Sequence, residues 1–203
     1  MLPGSGIGPE LMNYVKEVFR YAGVPVDFEE VQMDPKSESN EDLEYAITSI
    51  RRNGVAIKGN IETGSMSRGV MSRNVALRNE LDLFINILHC KQYPGSVHGV
   101  VESMKVVTSE NSERVARYAF EYAKKHGRKK YAIFEPGTRN TGTAIAGKNI
   151  ANPIAMLNAA VDMLEHLGHH YHADIIHKAI DKTVNEDHIH TPDLQHYVLL
   201  LHN

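Results

Sequence analysis

Amphipathic helical stretches and short β-branched runs take turns along this chain, and that alternation limits its fold more than any other feature. Residues 9–22 place Leu11, Val15, Val18, Phe19 and Ala22 on one helical face before Gly23 ends the segment. Residues 24–31 alternate apolar and polar side chains, with Val26, Phe28 and Glu30 on one side, the period of a half-exposed strand. The capping pattern at 39–42 leads into Leu43, Ala46, Ile47 and Ile50 at helical spacing, stopped by Asn53-Gly54. A buried strand is expected at 55–61, a polar loop at 62–71, a short helix at 74–80 and an apolar strand at 83–89. Such alternation predicts an α/β sheet with helices on its faces.

Beyond Pro94-Gly95 the same grammar continues. It predicts a strand at 100–108 and a helix at 111–125 whose Val115, Ala116, Ala119, Phe120 and Ala123 share a face, closed by Gly127. After the small basic cluster Arg128-Lys129-Lys130 come a strand at 131–134, a polar loop at 135–152, a helix at 153–167 with Ile154, Leu157, Val161 and Leu164 inward, and a last helix at 171–184. There is no internal repeat or low-complexity tract.

With 203 residues, 42% of them hydrophobic, the chain can bury one sizeable core. A formal charge of −3 and no concentrated basic tract argue against nucleic acid as a partner. The single cysteine, Cys90, excludes an internal disulfide framework and suits a reducing compartment. No apolar run approaches the roughly 18 to 20 residues of a membrane-spanning helix, and no Arg-rich transit peptide is visible. Met1-Leu2-Pro3-Gly4 reads as the end of a strand entering a turn, so an upstream strand is expected to be missing.

Four stretches carry chemistry-bearing residues, each with a functional and a plain reading. Gly4-Ser5-Gly6-Ile7-Gly8 can offer backbone N–H groups to a phosphate, or serve as a strand-to-helix turn; Pro9-Glu10 breaks the dinucleotide fingerprint. Ser72, Asn74 and Arg78 stand at a helix start with Arg78 one turn beyond Asn74, so hydroxyl, amide and guanidinium can converge on a carboxylate. The plain alternative is an N-cap beside a solvated arginine. The 135–152 loop, with Arg139, Asn140, Lys148, Asn149 and Asn152, is donor-rich enough for a nucleotide cradle, or is an Asn-rich cap of the next helix. Twelve histidines, five of them at 166, 169, 170, 172 and 177, suggest metal, but no zinc-ligand framework appears, and solvated histidines at a helix turn are the better reading.

Read in order, Leu2-Pro3-Gly4-Ser5-Gly6-Ile7-Gly8-Pro9-Glu10-Leu11, Lys58-Gly59-Asn60-Ile61-Glu62-Thr63, Ser72-Arg73-Asn74-Val75-Ala76-Leu77-Arg78 and Gly147-Lys148-Asn149-Ile150-Ala151-Asn152-Pro153 resemble the isocitrate and isopropylmalate dehydrogenase family. Lys58-Gly59-Asn60-Ile61-Glu62-Thr63 and Thr138-Arg139-Asn140-Thr141-Gly142 are most similar to the gamma, regulatory-type subunits of the mitochondrial NAD-dependent enzymes, and the likeness runs from residue 2 to about 193. The resemblance implies a truncated α/β fold of that family, with a large domain from both chain ends (1–95 and 131–203) and a small-domain remnant at 96–130. It implies that Ser72, Asn74 and Arg78 belong to the tricarboxylate motif and that Thr63 lies on a citrate-binding loop. It further implies that Arg139, Asn140, Lys148, Asn149 and Asn152 belong to an adenine-nucleotide region closer to an ADP site than an NAD site. The cofactors implied are NAD or ADP with Mg²⁺ or Mn²⁺. The ligands implied are citrate or isocitrate, the partner a catalytic alpha-type subunit, and the compartment the mitochondrial matrix.

Departures from the family pattern shape the functional expectation. Ser5 stands where an aspartate is common, and Arg139-Asn140-Thr141-Gly142-Thr143-Ala144 replaces a His-Gly-[Ser/Thr]-Ala-Pro-Asp stretch. After Gly95 the strand bearing the second substrate arginine and the tyrosine is passed over. After Lys130 the segment with the proton-transfer lysine and the metal-binding aspartates is passed over too. Leu194 and the apolar residues after it replace a Gly-Gly turn. The expectation is a regulatory-type subunit inactive alone, with no catalytic residue and no metal ligand. The alternatives are an interaction fragment that binds no small ligand, or a chain whose lost strands leave edges exposed and prevent independent folding.

Overall fold

The computed structural model describes residues 1–34, 39–62, 72–83, 113, 117, 121, 125, 131–137 and 140–193. The chain divides into two units, Met1–Leu81 with Tyr131–Asn203, and Asp82–Lys130.

In the first unit, α1 (Gly8–Ala22) begins with proline in its first turn, where the missing N–H leaves no bond unmade. It ends at Gly23, whose φ of 64° lets its N–H and that of Val24 turn back onto Arg20 and Phe19 carbonyls. Helix α2 (Glu41–Asn53) starts one residue later than the capping pattern suggests: Asn40 holds the cap position, while the Ser39 hydroxyl accepts the Glu41 N–H at 3.1 Å. Gly54 stops it, as the Asn-Gly pair predicts. Strand β1 (Val55–Ile57) is followed by α3 (Arg73–Glu80), β2 (Ala132–Phe134), a 3-10 turn (Thr143–Ile145), α4 (Ile154–His166) and α5 (His170–Asp181), which runs into a π turn (Lys182–Glu186).

β1 and β2 pair in parallel, Val55 to Ala132, Ala56 to Ile133 and Ile57 to Phe134. On the other side of β1, Leu2 bridges Lys58 in parallel, with Leu2 N to Ile57 O and Gly59 N to Leu2 O both at 2.9 Å. Met1 and Leu2 thus behave as the strand end their sequence suggested. The mixed helix and parallel-sheet architecture is the one predicted.

Helix α4 is central, packing on β1, β2, α1 and α5. Its buried residues are Met156, Ala159, Ala160, Val161, Met163 and Leu164: Val161 and Leu164 are inward as expected, whereas Ile154 and Leu157 are only half-buried. A helix enclosed by four neighbours buries more than one stripe, and a single periodicity does not show which residues are deepest. Leu11, Met12, Val15 and Phe19 of α1 and Ala173 and Ile176 of α5 complete this core.

Residues 24–31 do not form a strand. Val26 N–H bonds to Val24 O across Pro25 at 2.9 Å, a three-residue turn that breaks the extended run, and the segment meets Met1 at its far end, where Val31 N–H bonds to Met1 O at 2.9 Å and Glu29 O accepts from the Met1 ammonium at 2.7 Å. The alternation still sets the facing, with Val24, Val26 and Phe28 turned to the core and Phe28 5.5 Å from the Phe19 ring. Glu29 fastens the segment to α2, accepting hydrogen bonds from Arg52, from Asn53 at 2.8 Å and from Ser49 at 3.2 Å.

In the second unit Glu113, Arg117, Glu121 and Lys125 are helical and exposed, with Arg117 and Glu113 paired at 2.6 Å. That spacing matches the solvent side of the helix expected at 111–125. The strands expected at 83–89 and 100–108 fall outside the described residues, apart from Leu83. Among the described residues no helix is long and apolar enough to cross a membrane.

Candidate functional site

Parallel pairing decides where the charged residues meet. Because Ile57 is opposite Phe134, the next residue of each chain segment, Lys58 and Glu135, emerges at the same edge of the sheet, and Lys58 N–H bonds to Phe134 O at 2.8 Å. This is the carboxyl end of the strands, the edge at which open α/β sheets bind ligands. Lys58 is only 2% exposed. Its ammonium reaches Glu135 Oε2 at 2.8 Å, Asn74 Oδ1 at 3.0 Å and Gly59 O at 3.1 Å, so all three donors have partners.

Asn74, the second residue of α3, is held from both ends of its amide: Oδ1 accepts from Lys58 and Nδ2 donates to Ile61 O at 2.8 Å. One turn on, Arg78 donates to Glu135 Oε1 at 2.6 Å while remaining about half exposed (49%). Burial pushes the Lys58 ammonium below the usual lysine range, with Glu135 opposing. Burial alone would raise Glu135, but the cations of Lys58 and Arg78 outweigh it and hold its carboxyl below the ordinary value.

Of the residues singled out for a tricarboxylate, Asn74 and Arg78 therefore share one cluster. Ser72 stands just before α3, its carbonyl accepting Ala76 N–H at 2.8 Å and its hydroxyl making no capping bond. Thr63 lies outside the described residues. Arg73 turns away, pairing with Asp42 at 2.6 Å. Lys58 and Glu135 were not singled out from sequence as site residues. Their signal was position: each is the first charged residue after a short apolar strand.

The second candidate region is built by contacts with α1. Ile7 N–H bonds to Thr141 O at 2.9 Å, and Gly6, at φ 60°, lies so close that a Cβ there would strike the Thr141 carbonyl. Ser5 N–H bonds to Asn60 O at 2.8 Å and Gly8 N–H to Ser5 O at 3.0 Å, so the glycine-rich opening uses its donors as a strand-to-helix turn. Glu10 accepts Gly147 N–H at 3.1 Å and the Tyr14 hydroxyl at 2.8 Å, and Tyr14 also reaches Asn149 Oδ1. Asn152 accepts Ile154 N–H at 2.9 Å, capping the entry to α4, and donates to Asp193 at 2.9 Å. Asn140 and Lys148 are exposed, and Arg139 lies outside the described residues. The fit to an adenine nucleotide is narrow. Lys148 can meet a phosphate, whereas the Asn152 amide, engaged at both its nitrogen and its oxygen, must first leave its present partners.

Among the described residues no three His, Cys, Asp or Glu side chains gather as metal ligands, so those residues do not fit Mg²⁺ or Mn²⁺. The histidines near the α4–α5 turn pair elsewhere: His170 with Glu165, and His177 with Asp181 at 3.5 Å.

Comparison with known proteins bears on the family and the fold. The family model for isocitrate/isopropylmalate dehydrogenase matches residues 1–102 and 127–201. The chain belongs to this family. It is 35% identical to the gamma subunit of mitochondrial NAD isocitrate dehydrogenase from Macaca fascicularis over 309 residues, covering 96% of this chain and 87% of the relative. It is 29% identical to the beta subunit from the same animal over 314 residues, covering 97% and 82%. Both alignments run well beyond the 203 residues present, so this isocitrate/isopropylmalate dehydrogenase family member is partial relative to its full-length homologues. The crystal structure of isocitrate dehydrogenase from Methylococcus capsulatus aligns with a TM-score of 0.59, at 21% identity, over 95% of this chain and 92% of that one. At that identity the likeness speaks to the fold alone.

Proposed function

We propose that the chain is a regulatory-type subunit of an NAD-dependent isocitrate dehydrogenase, which holds a tricarboxylate rather than oxidising it and works beside a catalytic subunit. The observation that carries this reading is the cluster at the strand ends. There Arg78, half exposed, offers a guanidinium fork of the kind that grips carboxylates, next to a buried ammonium and an amide. Oxidative decarboxylation needs a divalent cation to stabilise the enolate as CO₂ leaves, and this reading assigns that step to the partner. The likeness to a mitochondrial gamma subunit supports the choice of a catalytic-type partner and of the matrix as the compartment.

The test is co-expression with a catalytic-type subunit, followed by gel filtration and an NADH assay with and without citrate. A stable complex whose turnover responds to citrate is expected, with no NADH formed by this chain alone from isocitrate, NAD and Mn²⁺. Turnover by the isolated chain, or failure to form a complex, defeats the reading.

A second reading, an interaction fragment that binds no small ligand, draws support from the engaged amide of Asn152. Calorimetry with citrate and with ADP separates the two, since the fragment gives no heat above dilution in either titration.

A further inference from the structure

We propose that Glu135 is a built-in competitor for the anion site at Arg78, its carboxylate occupying the guanidinium until a ligand carboxylate takes its place. This rests on reading the site as one for a small polycarboxylate.

The cluster is asymmetric in a way that decides which member moves. Glu135 divides its two oxygens between two cations, Oε2 to Lys58 at 2.8 Å and Oε1 to Arg78 at 2.6 Å. Lys58 is almost fully buried and all its donors are bound, so turning toward a ligand would strand a charge in the interior. Lys58 therefore anchors Glu135. Arg78 has neither constraint: it is long, half exposed and tied to Glu135 Oε1 through one of its terminal nitrogens. A ligand carboxylate exchanges one guanidinium–carboxylate pair for another, while the anchored Glu135 stays negative beside it. The exchange loses the internal pair and adds repulsion, so both effects weaken anion binding. Asn74 offsets little of this, because its oxygen is held by Lys58 and one of its two N–H donors by Ile61.

The experiment uses the full chain and phenylglyoxal, with modification of Arg78 read by peptide mass spectrometry against exposed Arg20 as internal reference. Glu135→Gln removes the charge but keeps an oxygen for Lys58. It should speed Arg78 modification relative to Arg20 by about fivefold, the factor equivalent to an ion pair of about 1 kcal/mol. Citrate should protect Arg78 in both proteins, at a lower concentration in the variant. Lys58→Met/Glu135→Gln removes the buried charge as well, and should show the same release if the single variant fails to fold. An Arg78 rate unchanged relative to Arg20 in the folded variants overturns the proposal, as does citrate protection that is no tighter in them. Faster modification with no citrate protection in any protein sinks the polycarboxylate reading and, with it, competition for such a ligand, while leaving the Glu135–Arg78 contact intact.

Discussion

The strand-end cluster and the 140–152 loop both contain residues that stand out in the sequence, yet they are held by different physics. The cluster joins Lys58, Asn74, Arg78 and Glu135 from different segments through charge, around a buried ammonium. The loop is held mostly by hydrogen bonds at the surface: Gly147 N–H donates to Glu10, Tyr14 reaches Asn149, and Asn152 accepts from Ile154 N–H and donates to Asp193. Losing a partner of the buried ammonium leaves that charge short of a hydrogen bond in the interior. Losing one exposed hydrogen bond lets water replace it. The two regions should therefore answer very differently to substitution.

The largest difference is expected at Lys58. Lys58→Ala leaves Asn74 Oδ1 and one oxygen of Glu135 without their partner and should cost about 1–3 kcal/mol, measured by urea denaturation with the wild-type chain alongside. A loss below about 1 kcal/mol would mean that the ammonium is better solvated than its burial indicates.

Acid and alkali should then separate the regions. The folded Glu135 carboxyl titrates below its ordinary 4.5, so its stabilisation is complete above that value and is lost as pH falls through the lowered one. Glu29, held at about 2 first by Arg52 and then by Asn53, follows the same sign, losing its contribution between about 4.5 and about 2. Burial and the Glu10 hydrogen bond raise Tyr14 above 10.0, so its contribution is present below 10.0 and is lost as pH rises toward the raised value. Melting curves against pH should show a shallower acid limb in Glu135→Gln and a shallower alkaline limb in Tyr14→Phe. Acid limbs that superimpose in Glu135→Gln and wild type would remove the electrostatic half of the comparison.

Asn152→Ala should cost about 1 kcal/mol, the usual loss for a helix-entry cap, by the same denaturation measurement. The smallest effect is expected for exposed Lys148→Ala, within about 0.5 kcal/mol in stability, so any change it makes in ADP binding would report on ligand contact alone.

Helices and their stops were legible in sequence because the signals are local. Leu11, Val15 and Phe19 recur at helical spacing, and Gly23 and Gly54 adopt the left-handed backbone that ends α1 and α2. The family was legible as well, since short motifs in order survive where no single motif persuades. The candidate site was legible in part: Asn74 and Arg78 were in view, Lys58 and Glu135 were not. Residues 24–31 had the alternation of a strand, but Pro25 and the turn from Val26 to Val24 denied it a ladder.

By itself, then, the sequence determined the helices of the first unit with their stops, and the family. Only the tertiary structure decided that Arg78 meets a carboxylate 57 positions away, because the parallel register of β1 and β2 brings Glu135 to the edge where Lys58 is buried. Periodicity is read along one segment, whereas a charge finds its partner across segments, and it is the packing of the sheet that sets the distance between them.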